Sequence, residues 1–339
     1  MVTITGLSYR EERSANACEL LGERRTAPRD SVVRDWFERY RPSSTGAERL
    51  LTHSVNYEGI TVNNTNFRGR TTVMSGGSRG IGLAIARAIA SRGGNVVLLA
   101  KTDTPDPRLP GTIHTAVAEL NELGGHAVPV VGDVRSDGDI ARVVDAALDN
   151  FGGIDIVVNN ASVLDISKTE DLPLKRFDLM QQVNVRGTFA LTRACLPYLQ
   201  KSSAPHVLTL SPPLNMSQHW LGTHPGYMLA KYGMTLAALG IAAEYANQPI
   251  SSNCLWPQTM IATAAVGNLL GGHDSLEHSR SPEIMADAAI ELLGRPAGTD
   301  NGRTVLDVEV LTEAGVTDFT PYGGTAPLTI DIFVDAAAG

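Results

Sequence analysis

Apolar positions follow two alternating patterns from about residue 69 onward. Short runs such as TTVMS at 71–75, NVVLLA at 95–100 and HVLTL at 206–210 consist mostly of β-branched and aliphatic residues and carry no acid, lysine or arginine. Between such runs, apolar residues recur every three or four positions. Continuous apolar runs are typical of strands buried on both faces, and the intervening spacing is typical of amphipathic helices. The pattern predicts an α/β fold with a doubly wound parallel sheet.

The two ends of the chain differ from this region. Residues 1–68 mix arginines with acids and show little periodicity, so we expect a poorly ordered N-terminal extension before a domain at 69–320. A transit peptide is a weaker alternative because acids interrupt the arginines, and a start assigned too far upstream would look the same. Residues 321–339 are expected to form a loosely held C-terminal tail.

Composition narrows the class of partner. The 339 residues are 43% hydrophobic and 19% charged, with a formal net charge of −8, which argues against nucleic acid and favours a small-molecule partner. The three cysteines lie far apart, so neither a disulfide framework nor a metal site is expected. No long apolar run or signal peptide is present, and we expect a cytoplasmic protein without a membrane span.

A glycine-rich turn follows the first predicted strand. GGSRGIG places Gly76, Gly80 and Gly82 directly before a helical segment. Strand, glycine turn and helix in this order bring backbone N–H groups and the helix N-terminus against a pyrophosphate, which indicates a dinucleotide site. The alternative is that the glycines serve only the close packing of strand and helix.

Charges near the second strand bear on the choice of dinucleotide. Lys101, one of five lysines in the chain, follows this strand at the place where a carboxylate would favour NAD and repel the 2′-phosphate of NADP. Arg79 in the turn offers a second cation, and Arg108 a weaker third. NADP is therefore favoured over NAD, although a solvated strand-end charge would look the same.

Polar residues also follow the third and fourth strands. Asp133 stands in GDV, and Asn159 and Asn160 stand in NNAS. Ligands of open α/β sheets bind at these carboxyl ends, where Asp133 can accept a hydrogen bond from adenine and Asn159 can touch a ribose or tie neighbouring strands. Ordinary turn chemistry is the alternative for each residue.

Tyr227 and Lys231 are spaced for one face of a helix. A phenol titrates near pH 10, and an ammonium about 4 to 5 Å away would lower its pKa enough for proton exchange near neutral pH. Tyr227 is therefore a candidate general acid or base. Ser211, at the end of a strand, would hold the substrate oxygen, and Asn184 would anchor a water that reaches Lys231. The alternative is that Tyr227 and Lys231 only share one face of an amphipathic helix and have no catalytic role.

The motifs SGGSRGIG, GDV, NNAS and YMLAK, with Asn184 and Ser211 between the last two, resemble those of the short-chain dehydrogenase/reductase family, which has a Rossmann fold. AKTDTPDPRLPGTIHTA, SPPLN and LWPQT resemble the hydroxysteroid dehydrogenase-like protein 2 group within it. The resemblance covers about residues 69–320 and implies an NADP-dependent oxidoreductase. It also implies a homo-oligomer that associates through the long helices near Phe177 and Tyr227.

The resemblance assigns roles residue by residue. The implied catalytic residues are Asn184, Ser211, Tyr227 and Lys231. The implied cofactor-binding residues are Ser75, Gly76, Ser78, Arg79, Gly80, Ile81, Gly82, Lys101, Asp133, Val134, Asn160 and Ala161, together with Tyr227 and Lys231.

Some positions depart from the family pattern. Ser162 replaces the usual glycine after NNA, Pro212 and Pro213 stiffen the chain after Ser211, and Gln258 follows Pro257 where many members have glycine. These departures bear on substrate shape and catalytic efficiency rather than on fold. An alanine- and leucine-rich stretch at 259–272 would suit a lid over an apolar substrate, or a buried helix.

Two functions are consistent with these residues. The first is hydride transfer between NADP(H) and a carbonyl or alcohol substrate, with Tyr227 as the general acid or base; the resemblance implies a lipid-like substrate. The second is an NADP-binding module without turnover, such as a redox sensor or an assembly partner. The presence of all four catalytic residue types favours the enzyme.

Overall fold

The computed structural model describes residues 65–106, 111–264, 266 and 276–335. Nearly all of the expected N-terminal extension lies outside these residues, as do Arg108 and half of the stretch proposed as a lid.

Strands and helices alternate along the described chain. The strands are β1 Thr71–Ser75, β2 Asn95–Ala100, β3 His126–Val131, β4 Ile156–Asn159, β5 His206–Leu210, β6 Ser251–Trp256 and β7 Thr304–Leu306. The helices are α1 Gly80–Ala90, α2 Ile113–Glu122, α3 Asp137–Phe151, α4 Leu174–Met180, α5 Gly187–Leu199, α6 Gln218–Thr223, α7 Pro225–Glu244, α8 Glu283–Gly294 and α9 Asp307–Glu313. A π-helical turn, Gln181–Arg186, joins α4 to α5.

Within the described residues, the strands form one parallel sheet in the order β3-β2-β1-β4-β5-β6-β7. The chain runs outward from β1 through β2 to β3 and then returns to β4 on the other side of β1. This reversal creates a crevice at the carboxyl ends of β1 and β4, which is where ligands bind in such sheets. The predicted doubly wound parallel sheet is confirmed.

Hydrophobic cores cover both faces of the sheet. Met74 and Leu98 belong to one buried cluster, while their neighbours Val73 and Val97 belong to another. Successive strand residues point to opposite faces, so a strand covered on both sides has no polar face and reads as a continuous apolar run. This burial explains why the strands were visible in the sequence.

The segment predicted as one long helix near Phe177 is interrupted. It begins at Leu174, and the turn Gln181–Arg186 has π-helical hydrogen bonding before α5 begins at Gly187. Asn184 lies in this turn and is completely buried. Single π-helical turns inside α-helices are frequent at functional sites, and apolar periodicity does not reveal them.

Residues 329–335, called the C-terminal segment below, pack against the rest of the protein. The sequence predicts a loosely held tail here. Phe333 is 1% exposed and Val334 is 7% exposed, so both lie in the core. Thr329 and Ile330 pair with the chain just after β6, and the Trp256 indole donates a hydrogen bond to the Ile332 carbonyl. These tertiary contacts hold a segment too short for its apolar pattern to identify.

Replacing Leu98 by alanine tests the two-sided core. Leu98 is 0% exposed, so we expect the free energy of unfolding to fall by about 2–5 kcal/mol in denaturant titrations. Leu123→Ala is the matched control, because Leu123 is 42% exposed and should change stability far less. Equal losses for the two variants would contradict this placement of the core.

Candidate active site

The glycine turn packs tightly against the end of β4. The Asn160 amide donates hydrogen bonds to the carbonyls of Ser75 and Gly76, and the Ala161 N–H donates to the Ser75 hydroxyl. A Cβ on Gly82 would stand 2.4 Å from the Asn160 amide nitrogen. The structure therefore brings together the predicted residues of the turn and of NNAS, and the close packing itself requires glycine at 82.

The first turn of α1 faces the same crevice. Gly80 has a φ of +56°, and the side chain of Arg79, the residue before the helix, makes no capping hydrogen bond. The Arg79 guanidinium instead donates to the Gly111 carbonyl at 3.0 Å, and Ser78 is buried. Uncapped N–H groups at a helix start suit a pyrophosphate, so this cradle fits a dinucleotide.

Lys101 and Asp133 meet at the ends of β2 and β3. The Lys101 ammonium lies 3.1 Å from the Asp133 carboxylate, which also accepts hydrogen bonds from Arg135. The hydrogen bonds from Arg135 and the charge of Lys101 hold the pKa of Asp133 well below its usual range. The Lys101 side chain is still 64% exposed. Val134 is buried and packs against Gly187.

Tyr227 and Lys231 lie one helical turn apart near the start of α7. Pro225 occupies the first position of this helix, where its missing N–H costs no hydrogen bond. The Lys231 ammonium donates to the Leu210 carbonyl at 2.9 Å and lies 4.9 Å from the centre of the Trp256 ring. Lys231 is only 3% exposed, so its charge is held inside the protein.

Ser211 follows Leu210 and is fully buried. Its hydroxyl bonds no oxygen or nitrogen and lies within hydrogen-bonding reach of the Cys254 thiol. A thiol is a weak hydrogen-bonding partner, so the Ser211 hydroxyl can still bond a substrate oxygen.

Asn184 positions the chain that follows NNA. Its side-chain oxygen accepts a hydrogen bond from the Val163 N–H, and its amide donates to the Val163 carbonyl. Both polar groups of the side chain are thus engaged by backbone. The water-anchoring role expected for Asn184 stays a prediction.

A small cavity joins the helix after the glycine turn to Tyr227. It encloses about 120 Å³ and is lined by residues that include Ile81, Leu210, Tyr227 and Asp331. Most of the other lining side chains are apolar. Within the described residues, no group of three histidine, cysteine or acidic side chains is arranged to hold a metal ion. No helix in the same residues is long and apolar enough to cross a membrane.

Comparison with known proteins assigns the fold to a family. The family described as short chain dehydrogenase matches residues 70–270, which is more than half of the chain. The chain belongs to the short-chain dehydrogenase family. Members of this family are oxidoreductases that use NAD or NADP. The expected Rossmann fold and oxidoreductase class are confirmed at this level.

Relatives in the short-chain dehydrogenase family extend the match. Hydroxysteroid dehydrogenase-like protein 2 of Xenopus tropicalis is 45% identical over 275 residues, covering 80% of this chain and 65% of the relative. The human protein of that name is 44% identical with the same coverage. The chain thus spans about two thirds of the length of these relatives, and the expected resemblance to their group is confirmed.

Solved structures of dehydrogenases agree with this placement. A short chain dehydrogenase from Mycobacterium thermoresistibile is 50% identical, with a TM-score of 0.76, and 80% of this chain covers 97% of that one. A dehydrogenase described as putative from Xanthomonas campestris is 46% identical, with a TM-score of 0.77, and 80% of this chain covers all of it.

The electrostatics of Tyr227 differ from the sequence expectation. Burial raises the pKa of this phenol above its ordinary value, and the nearby Asp331 carboxylate raises it further. A hydrogen bond with the Ser162 side chain acts in the opposite direction but is the smaller effect. The expected lowering by Lys231 is therefore not found, because the enclosure that holds the pair also desolvates the phenol.

Three residues near Tyr227 were not identified from the sequence as site residues. Asp331 lines the cavity, Phe333 stacks on the Tyr227 ring with centroids 5.9 Å apart, and Ser162 bonds the phenol. Ser162 was visible as a departure from the family pattern. Asp331 and Phe333 gave no local signal, because they are distant in sequence and reach the site only through the tertiary fold.

Replacing Gly82 by alanine tests the cradle. The added Cβ would displace Asn160 and the Gly76 carbonyl, so we expect the dissociation constant for NADPH to rise at least about tenfold in fluorescence titrations. Gly240→Ala is the control, because nothing lies within 4 Å of a Cβ there. Unchanged affinity in Gly82→Ala would place the dinucleotide elsewhere.

Proposed function

We propose that the protein is an NADP(H)-dependent oxidoreductase that interconverts a carbonyl and an alcohol, with Tyr227 as the general acid or base. The observation that carries this proposal is the shared cavity, which Ile81 of the glycine-turn helix and Tyr227 both line. A dinucleotide seated on the turn would direct its reactive end toward the phenol. When bound, the cofactor supplies or accepts the hydride.

The chain's own groups supply the proton chemistry. In the reducing direction the Tyr227 hydroxyl donates its proton to the substrate oxygen as negative charge develops there. The raised pKa keeps Tyr227 protonated before reaction, but it also makes the phenol a weaker acid, so donation depends on groups that stabilise the phenolate. The Lys231 ammonium, one helical turn away, would favour that phenolate, and the Ser211 hydroxyl, which bonds no oxygen or nitrogen, is available to hold the substrate oxygen.

The preference for NADP over NAD rests on the residues beside β2. The carboxylate of Asp133 is already neutralised by Lys101 and Arg135, so it does not present an unpaired negative charge to a 2′-phosphate. Lys101 is mostly exposed, and Arg135 would still compensate Asp133 if Lys101 turned toward a phosphate. Arg79 lies in the glycine turn. Two cations and a compensated carboxylate favour the phosphorylated cofactor.

The substrate we propose is an apolar alcohol or ketone. The cavity walls are mainly aliphatic and aromatic, among them Leu164, Trp256 and Met285. Such a lining binds an apolar body and leaves polar contact to the reacting oxygen. The name of the hydroxysteroid dehydrogenase-like relatives is consistent with a lipid-like substrate class.

We also propose that the protein is a homo-oligomer in the cytoplasm. Phe189 on α5 and Leu229 and Leu236 on α7 are each more than half exposed, and apolar side chains on neighbouring helices favour a protein interface. The cytoplasmic location is supported by Cys195 and Cys254, which are buried free thiols.

A dinucleotide-binding module without turnover is the second candidate. The observation that favours it is the covered phenol: Phe333 stacks on Tyr227, and Ser211 makes no hydrogen bond to it. Such a module would bind NADPH without oxidising it. The two candidates differ in turnover, and turnover is directly measurable.

Tyr227→Phe separates the two candidates. Phenylalanine keeps the ring stacked on Phe333 but removes the proton that the enzyme needs. We expect at least about a thousandfold loss of NADPH oxidation over a panel of apolar ketones, with NADPH affinity within about twofold of wild type. Equal rates for the two proteins, or no turnover by wild type with any ketone, would contradict the enzyme.

Lys101→Ala tests the cofactor preference. Removing this charge should weaken NADPH binding about tenfold and leave NADH binding within about twofold, because only NADPH carries the 2′-phosphate. Lys168→Ala is the matched control, since Lys168 is an exposed lysine that is not among the predicted cofactor-binding residues. If the affinities for NADPH and NADH fell by the same factor, Lys101 would not be the residue that binds the 2′-phosphate.

A further inference from the structure

The C-terminal segment is tied to the strand end beside the site. The Asp331 N–H donates to the Gln258 carbonyl at 3.0 Å, and the Met260 N–H donates to the Thr329 carbonyl at 2.8 Å. The Trp256 indole donates to the Ile332 carbonyl at 2.9 Å. Trp256 is also the ring beneath the Lys231 ammonium. One side chain thus connects the segment to the buried lysine.

The far end of the segment is held by Trp220 of α6 and by Asn215, which precedes that helix. The Asp335 carboxylate accepts hydrogen bonds from the Trp220 indole and the Asn215 amide, each at 2.8 Å. Phe333 packs between the rings of Tyr227 and Tyr232, with centroid distances of 5.9 and 5.2 Å. Asp331 therefore has a fixed place in the cavity wall.

Lys231 needs a counter-charge that its direct contacts do not supply. It donates to a neutral carbonyl and lies over a neutral ring. The groups whose charges favour its ammonium are Asp331 and Cys254. Burial raises the pKa of the Cys254 thiol to about 11, so this thiol is uncharged at neutral pH. Of these two groups, only Asp331 can carry a negative charge near neutral pH. Asp331 lines the same cavity as Leu210 and Trp256, the two residues that contact the Lys231 ammonium.

We propose that Asp331 is a positioning residue, whose carboxylate keeps the buried Lys231 ammonium charged. The proposal rests on the proposed function only for its catalytic consequence; the charge on Lys231 is measurable without turnover. A carboxylate brought in by the C-terminal segment thus controls the cation that the catalytic tyrosine needs, and the segment becomes part of the active site.

The surrounding charges determine how the pair responds to pH. Burial lowers the pKa of Lys231 to about 7 and raises that of Asp331 to about 7. Asp307, itself beside Arg280, raises the pKa of Asp331, and Asp331 raises that of Tyr227. A negative Asp331 stabilises the ammonium, so its loss must lower the pKa of Lys231 and leave the lysine neutral at lower pH.

The chain has five lysines, which makes the charge of one of them directly observable. The other four, Lys101, Lys168, Lys175 and Lys201, are exposed. In protein labelled with ¹³C at the lysine ε-carbon, the Lys231 signal can be assigned as the one lost in Lys231→Met. Its shift against pH then gives the midpoint of its titration, which we expect near pH 7 in the wild-type protein.

Asp331→Asn is the test variant. Asparagine keeps the shape and the oxygen that accepts from the Ile332 N–H, but removes the charge. We expect the Lys231 midpoint to fall by about one pH unit or more, and Asp331→Glu to restore most of that shift. Asp335→Asn is the matched control, because it removes a carboxylate from the same segment whose partners are Trp220 and Asn215. Its Lys231 midpoint should stay within about 0.3 units of wild type.

A reciprocal measurement covers the case in which Asp331→Asn does not fold. Labelling the aspartate carboxyl carbons lets Asp331 be followed in wild type and in Lys231→Met. Loss of the positive charge should raise the Asp331 midpoint by about one unit. An unmoved Lys231 midpoint in folded Asp331→Asn, or an unmoved Asp331 midpoint in Lys231→Met, overturns the proposal.

A turnover measurement then tests the catalytic consequence. If wild type oxidises NADPH with a ketone, Asp331→Asn should shift the alkaline fall of kcat to lower pH by the same amount as the Lys231 midpoint, with little change in NADPH affinity. A midpoint shift in a protein without turnover would support the charge-setting role of Asp331 while contradicting the proposed enzyme.

Discussion

The burial of the Lys231 ammonium is the constraint on which the site depends. An ammonium removed from water must be compensated by dipoles, ring faces or opposite charge, or it loses its proton. The structure provides one of each: the Leu210 carbonyl, the Trp256 ring and the Asp331 carboxylate. These three come from β5, β6 and the C-terminal segment, so the position of one charge couples three distant parts of the chain.

The fold was predictable because its signals are local. Strands β1, β2 and β5 begin and end where the runs of β-branched and aliphatic residues do, since burial on both faces leaves few positions for charged residues. The glycine turn was also predictable from the sequence. A Cβ at residue 82 would collide with Asn160, so this position requires glycine. Patterns of this kind report what a residue's immediate neighbours require.

The parts of the site that were not predictable depend on contacts between distant segments. Asp331 and Phe333 lie about a hundred residues beyond Tyr227, in a stretch without helical or strand periodicity. The direction of the Tyr227 pKa was missed for the same reason. Spacing along α7 reveals the cation one turn away, but not the rings and the carboxylate that enclose the phenol. The pKa of Tyr227 depends on all the groups that enclose the phenol, and these groups come from several segments of the chain.

The size of the cavity links the C-terminal segment to substrate entry. Pockets for drug-sized ligands have volumes of roughly 300 to 1,000 Å³, whereas this cavity encloses about 120 Å³. A lipid-like substrate therefore either extends out of this cavity or requires its walls to move. The wall formed by residues 329–335 is held mainly by a few hydrogen bonds and by Phe333 packed on Tyr227 and Tyr232. If that wall moves as a unit, Asp331 moves with it, and the charge of Lys231 then depends on whether the segment has closed again over the bound substrate.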